Sequence, residues 1–251
     1  MNDARGSDNT GYEPIGNEVG PNPATRDGYE SLKISRREFL NKEIELSTTL
    51  VRDHSDSVLN FLEKAHVTLM TILQNLLREL GLEGPTQFET FHDDTKPTLS
   101  TLAFLKYPKH EECATDSVGH NKHTDIGSLT FLLAQQWGLQ IMTPGSDKWA
   151  FVKPRPKHAV INVGDSLHFP SGGQLASVLH RVVPLEGKQV EDRYSIAYLM
   201  RVNDDLKWIS TNGRVWSAKE WHDLKFDAFR TSDSMKDGVQ IVTGMREIRG
   251  V

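Results

Sequence analysis

His123 and Asp125 stand two residues apart in Gly119-His-Asn-Lys-His-Thr-Asp-Ile-Gly-Ser-Leu-Thr-Phe-Leu-Leu133, where polar residues and glycine give way to an apolar, strand-forming run. On a strand, residues i and i+2 point to the same face, so this imidazole and carboxylate would project together. They make up two of the three ligands of a facial triad, the arrangement that leaves open positions on non-haem Fe(II). A strand-end hydrogen bond is the alternative, since the chain holds 10 histidines and 34 acidic residues. A third candidate ligand, His180, follows 55 positions after Asp125 in the β-rich run Ser177-Val-Leu-His-Arg-Val-Val-Pro184. Two antiparallel sheets folded face to face would bring its strand towards the first. Thirteen positions further on, alternation puts Arg193 and Ser195 on one face, a planar fork of donors beside a hydroxyl. An arginine among Ile196, Ala197, Leu199 and Met200 needs an anion, because a buried unpaired charge is strongly unfavourable. Either an internal Asp or Glu or a bound carboxylate would answer it.

Such residues need a rigid frame. Strand-like runs at 98–108, 129–133, 138–142, 149–152, 159–163, 167–169, 178–183 and 194–200 are separated by turn residues, notably 143–147 and Gly164-Asp165. With no helix-period segment between them, they predict an antiparallel sandwich or barrel. Residues 53–82 predict one long scaffold helix, its stripe formed by Leu62, Leu69, Leu73, Leu76 and Leu80. Asp53, Ser55 or Asp56 could cap its start and Gly81 or Gly84 its end, and His66 beside the stripe reads as a satisfied core histidine. Ser217-Ala-Lys-Glu220 is a capping box opening a helix over 217–230. Residues 1–28, rich in Gly, Asn, Pro and Asp, read as a loop-like N-terminal arm with a short extended piece at 12–15, and another extended piece follows it at 29–34. The expectation is one domain over 1–251 with its β core at 98–202.

A chain of 251 residues that is 37% hydrophobic can bury a sizeable core. A net charge of −5 gives no electrostatic reason to expect nucleic acid or an anionic membrane as partner. No apolar run reaches membrane-spanning length, and Met1-Asn-Asp-Ala-Arg-Gly-Ser7 lacks a hydrophobic signal region. Cys113 is the single cysteine, which rules out an intrachain disulfide or a thiolate metal cluster and suggests a cytoplasmic protein.

Five stretches together, His123-Thr-Asp125, Gly138-Leu-Gln-Ile141, Val160-Ile-Asn-Val-Gly-Asp165, His180-Arg-Val182 and Arg193-Tyr-Ser195, resemble the 2-oxoglutarate/Fe(II)-dependent dioxygenases of the isopenicillin N synthase, aminocyclopropane carboxylate oxidase and gibberellin oxidase subgroup. The resemblance implies a mainly β fold with flanking helices, a double-stranded β-helix (jelly roll) backed by the long helix. It implies His123, Asp125 and His180 as iron ligands. Arg193 and Ser195 would hold the distal carboxylate of 2-oxoglutarate, and Tyr107 would hydrogen-bond the cosubstrate. It implies Fe(II), 2-oxoglutarate and O2, with ascorbate as a reductant, and a small-molecule substrate of specialised metabolism that is hydroxylated, desaturated or cyclised as succinate and CO2 are released. Tyr12, Ile15, Phe104, Lys122, Phe131, Phe169 and Leu199 are the candidate substrate-lining residues, each equally a candidate for core or surface. Lys122 and His120 could meet an anionic substrate or lie in a solvated loop. Leu105 departs from the family's Asn, the 180–193 segment is longer than in several relatives, and fewer residues precede Gly11. That last departure raises an exposed sheet edge, self-association or a covering partner chain as expectations. A cosubstrate-free oxidase of the same fold and a non-catalytic binding protein are the competing readings.

Overall fold

The computed structural model describes residues 10–18, 20, 26–41, 49–81, 88–110, 119–143, 145–146, 148–209 and 213–230. Its strands are β1 (Gly11–Glu13), β2 (Glu30–Ser35), β3 (Thr101–Tyr107), β4 (His120–His123), β5 (Leu129–Ala134), β6 (Leu139–Met142), β7 (Trp149–Phe151), β8 (Val160–Val163), β9 (His180–Val182), β10 (Arg193–Met200), β11 (Lys207–Ile209) and β12 (Val215–Ser217). The α-helices are α1 (Arg36–Leu40), α2 (Thr49–Asp53), α3 (Ser55–Glu79), α4 (Asp165–His168) and α5 (Ala218–Arg230). A six-stranded sheet in the order β1-β2-β3-β10-β5-β8 and a four-stranded sheet in the order β4-β9-β6-β7 form the jelly roll, with β11 and β12 as a separate ribbon. Every pairing among these strands is antiparallel.

Strand alternation divides the six-stranded sheet into two faces. One register row runs Lys33, Ala103, Ala197, Leu132, Val160, and all five line a cavity between the sheets. The neighbouring positions Leu32, Phe104 and Ile196 point outward and pack with α3. α3 buries Leu62, Ala65, Leu69, Leu73 and Leu77 there, each leucine contributing roughly 1.5–3 kcal/mol. The stripe continues through Leu77 instead of Leu76 and Leu80, as the 3.6-residue turn requires over this length. His66 Nδ1 lies 2.9 Å from the Tyr198 hydroxyl, tying the helix to the centre of the sheet, and burial lowers its pKa to about 4.

Several local expectations are corrected. The residue before α3 is His54, and it makes no side-chain capping bond, so neither Asp53 nor Asp56 caps the helix. Gly81, at φ +63°, follows its C-terminal end; Gly84 lies outside the described residues. The 167–169 run is not a strand. It lies in and just after α4, because the Asp165 and Ser166 amides turn inward to the Asp125, Ile126 and Gly127 carbonyls. Within the arm at 1–28, Gly11–Glu13 pairs with β2 as an edge strand, Tyr12 opposite Leu32, while residues 1–9, 19 and 21–25 lie outside the described residues. β4, β11 and β12 are strands whose polar or short sequences carry little β signal. The Ser217–Glu220 capping box does open α5, with the Ser217 amide and hydroxyl donating to Glu220 Oε2 at 2.8 and 2.9 Å. No described helix is long and apolar enough to cross a membrane.

Candidate active site

β4 and β9 are neighbours within the four-stranded sheet, and their register sets His123 directly opposite His180. The two histidines thus meet along a strand pair, not across two facing sheets. β4 ends at His123, so alternation alone does not aim Asp125; the turn that follows does. That turn is pinned by the Asp165 amide on the Asp125 carbonyl (2.8 Å) and by Lys225 Nζ on Thr124 Oγ1 (2.6 Å). Gly164 permits the approach: a Cβ there would lie 2.2 Å from the Gly127 carbonyl oxygen.

One donor atom from each of His123, Asp125 and His180 lies within 4.8 Å of the others. His123 Nε2 and His180 Nε2 are 3.8 and 3.7 Å from Asp125 Oδ1. Each Nδ1 faces a carbonyl, Asn121 O at 2.7 Å and Val178 O at 3.0 Å, and a carbonyl only accepts. The ring proton therefore sits on Nδ1, and each Nε2 turns its lone pair to the common centre. Asp125 Oδ2 is taken by Thr130 Oγ1 (2.6 Å) and Asn162 Nδ2 (2.7 Å), which leaves Oδ1 for the same centre. Burial would raise the Asp125 pKa, yet His180, His123 and these two hydrogen bonds hold it down to about 2. Burial, reinforced by His180 and His120, holds His123 well below the usual imidazole range. Two imidazole Nε2 atoms and one carboxylate oxygen, preset around one point, suit a divalent ion such as Fe(II) and leave positions for further ligands.

The cavity beside this centre has a volume of about 150 Å³ and is largely apolar in lining. Arg193, 1% exposed, lies at its other polar end. Its Nε donates to Trp137 O at 3.0 Å, its guanidinium carbon stands 4.8 Å from the Tyr107 ring centre, and its Nη1 is buried with no partner. Gly138, at φ +134°, leaves the necessary room, since a Cβ there would come within 2.9 Å of Arg193 Nε. No carboxylate pairs with Arg193 among the described residues, so the internal Asp or Glu partner is absent there. Tyr107, in hydrogen-bonding contact with Ser195 and with the Arg193 side chain, completes this end, and burial pushes its hydroxyl up to about 12, so it keeps its proton. An orphaned cationic nitrogen, a phenol and a hydroxyl fit the distal carboxylate of a keto acid.

Of the substrate-lining candidates, Leu199 faces the cavity. Phe104 and Phe131 do not: they sit on the outer face against the α3 layer, Phe131 edge-on to Phe61 at 6.0 Å. Phe169 stacks on Trp208 at 5.9 Å, away from the site, because α4 replaces the expected strand. The Tyr12 hydroxyl donates to Glu30 at 2.6 Å, Ile15 is exposed, and Lys122 lies outside the cavity near Arg181. His120 does line the cavity, half-buried on β4 and stacked on Tyr29 and His123 instead of standing in a solvated loop. Residues that the motifs did not single out line it too, among them Glu18, Lys33, Arg201, Phe226 and Phe229. Lys33 and Arg201 carried a usable signal, each being a charge set in phase with inward-facing strand positions.

Residues 99–202 match the model of the 2OG-Fe(II) oxygenase superfamily. The chain is 45% identical over 248 residues to the 2-oxoglutarate-dependent dioxygenase frbH of Dothideomycetidae sp. (strain 11243), covering 98% of this chain and 76% of that one. It is 46% identical over 248 residues to oxidoreductase vrtI of Penicillium aethiopicum, covering 98% of this chain and 60% of that one. In fold it is similar to a full-length Neurospora crassa protein crystallised with alpha-KG and thymine, with a TM-score of 0.71 at 21% identity over 89% of this chain and 76% of that one.

Proposed function

The chain belongs to the 2OG-Fe(II) oxygenase superfamily, and on that premise we propose that its cavity couples 2-oxoglutarate turnover to oxidation of a small molecule of fungal-type specialised metabolism. Iron and 2-oxoglutarate, when bound, supply the oxidising chemistry: O2 is consumed, the keto acid becomes succinate and CO2, and a C–H bond of the substrate is oxidised. The protein's part is placement. His123, Asp125 and His180 hold the metal, with Thr130 and Asn162 fixing which carboxylate oxygen faces it. Arg193 neutralises the far carboxylate of the cosubstrate, and Ser195 and Tyr107 donate to it. The apolar walls from Leu105, Leu132, Leu139 and Val182 exclude water from this end.

The observation that carries the reading is the buried, partnerless Nη1 of Arg193 in the same cavity as the triad. An internal ion pair would have left no reason for a second ligand there, whereas the distal carboxylate of 2-oxoglutarate answers it.

Anaerobic titration of the Fe(II)-loaded protein with 2-oxoglutarate tests this, read as a saturable visible charge-transfer band. Arg193→Lys keeps the charge but loses the planar fork, and should raise the 2-oxoglutarate requirement about 10-fold or more, some 1.4 kcal/mol. An unchanged requirement would remove Arg193 from the cosubstrate site. Iron binding without the band would favour the cosubstrate-free oxidase.

A further inference from the structure

Three cationic side chains line the cavity: Lys33, Arg193 and Arg201. Lys33 is neutralised by an ion pair with Glu13, an interior-facing residue of β1. Arg193 has the cosubstrate. Arg201 has neither. It is 6% exposed, its Nη1 donates to the neutral Leu99 carbonyl and to Thr101 Oγ1 (3.1 Å), and its Nε is buried with no partner. None of the ion pairs among the described residues includes it. Asp125 and Asp204 act on it only at longer range, and burial outweighs them, bringing its pKa down to about 10. Beside it on α5, His222, 1% exposed, also keeps a buried Nε2 without a partner.

The position of Arg201 matters as much as its isolation. Arg193, Ser195, Ala197 and Leu199 all face the cavity, and Arg201 follows in phase just past the end of β10. The two arginines therefore bracket the cavity along one strand, roughly 25 Å apart at the backbone for extended chain. The metal centre lies towards the Arg201 end: Leu199 pairs with Thr130, whose hydroxyl holds Asp125, and the Arg201 side chain packs on Gly127 in the turn after Asp125. Arg193 lies at one end of the cavity; Arg201 is a second buried guanidinium, at the end nearer the metal centre, whose Nε has no hydrogen-bond partner. A buried guanidinium bonded only to neutral oxygens is unfavourable until an anion reaches it, and its Nε edge suits a carboxylate.

We propose that Arg201 is the recognition residue for a carboxylate on the substrate, held at the end of the cavity opposite the one that takes the cosubstrate. The substrate is thus an organic acid. This rests on the reading of the cavity as a 2-oxoglutarate-dependent oxygenase site.

The test is equilibrium binding to full-length protein loaded anaerobically with Fe(II) and saturated with 2-oxoglutarate. The probes are two matched pairs, hexanoate with hexanamide and 3-phenylpropionate with 3-phenylpropanamide, read by calorimetry and by perturbation of the visible band. The acids should bind about 10-fold or more tightly than the amides. Arg201→Gln should erase that preference, and Arg201→Lys should restore part of it, with 2-oxoglutarate affinity unchanged in both. Acids that bind no better than amides, or a preference that survives in Arg201→Gln, would overturn the assignment. So would acid binding that appears only without 2-oxoglutarate, which would place the probe on Arg193. Should Arg201→Gln fail to fold, the acid–amide comparison in the unaltered protein still decides. Failure of 2-oxoglutarate itself to bind would instead strike the functional reading on which this one stands.

Discussion

Replacing His180 with alanine is expected to abolish 2-oxoglutarate turnover and to weaken Fe(II) binding by at least about 100-fold, while the protein stays folded. The effect on the metal is large because the site is preset and has no spare donor. One oxygen of Asp125 is already committed to Thr130 and Asn162, and among the described residues no fourth His, Cys, Asp or Glu joins the triad at the centre. The effect on folding is small because β9 is three residues long and the hydrogen bond of the His180 ring, to Val178 O at 3.0 Å, is local. Metal affinity by competition with a chelator and a thermal melt of the metal-free protein separate the two. Full turnover in the variant would remove His180 from the ligand set; a collapsed melt would make it a folding residue.

Lys225→Met is expected to destabilise the fold by about 3–5 kcal/mol, a fall in Tm of roughly 10 °C for a chain of this size. Lys225 and Asp165 are each 0% exposed and joined at 2.5 Å. Asp165 also accepts from Ser177 Oγ (2.8 Å) and Trp221 Nε1 (3.2 Å), so it is the hub where α4, α5 and the strand leading to His180 meet. Methionine would fill the space but leave that carboxylate buried without a cation. The lysine also donates to Thr124, the residue between two candidate ligands, so iron affinity should fall with stability. Adding Asp165→Asn to the lysine variant should recover part of the loss, because the stranded charge goes with it. A Tm within about 2 °C of the unaltered protein, measured by calorimetry, would show that neighbouring groups absorb the charge.

Much of this molecule was legible in its sequence because some of its constraints are local. Strand alternation put Arg193 and Ser195 on one face, the leucine stripe marked the scaffold helix, and the Ser217–Glu220 box marked the start of α5; each depends on a backbone period or a cap only a few residues long. The residues of the metal set were legible as a pattern, but the means of their convergence was not. His123 meets His180 through the register of two short polar strands, and Asp125 is aimed by a turn held from α4 and α5. Those contacts join residues 40 to 101 positions apart, and no local propensity encodes them. The same reason explains the misplaced pocket residues. Phe104 and Phe131 have the composition of a pocket wall, yet which face of a strand looks inward depends on where the opposite sheet and the helix come to lie. By itself the sequence determined the scaffold helix, most of the core strands and the chemistry they carry, but not α4, β4, β11 or β12. Only the tertiary structure decided which charges stay paired within the cavity wall, as Lys33 does with Glu13, and which keep a buried nitrogen without a partner, as Arg193 and Arg201 do.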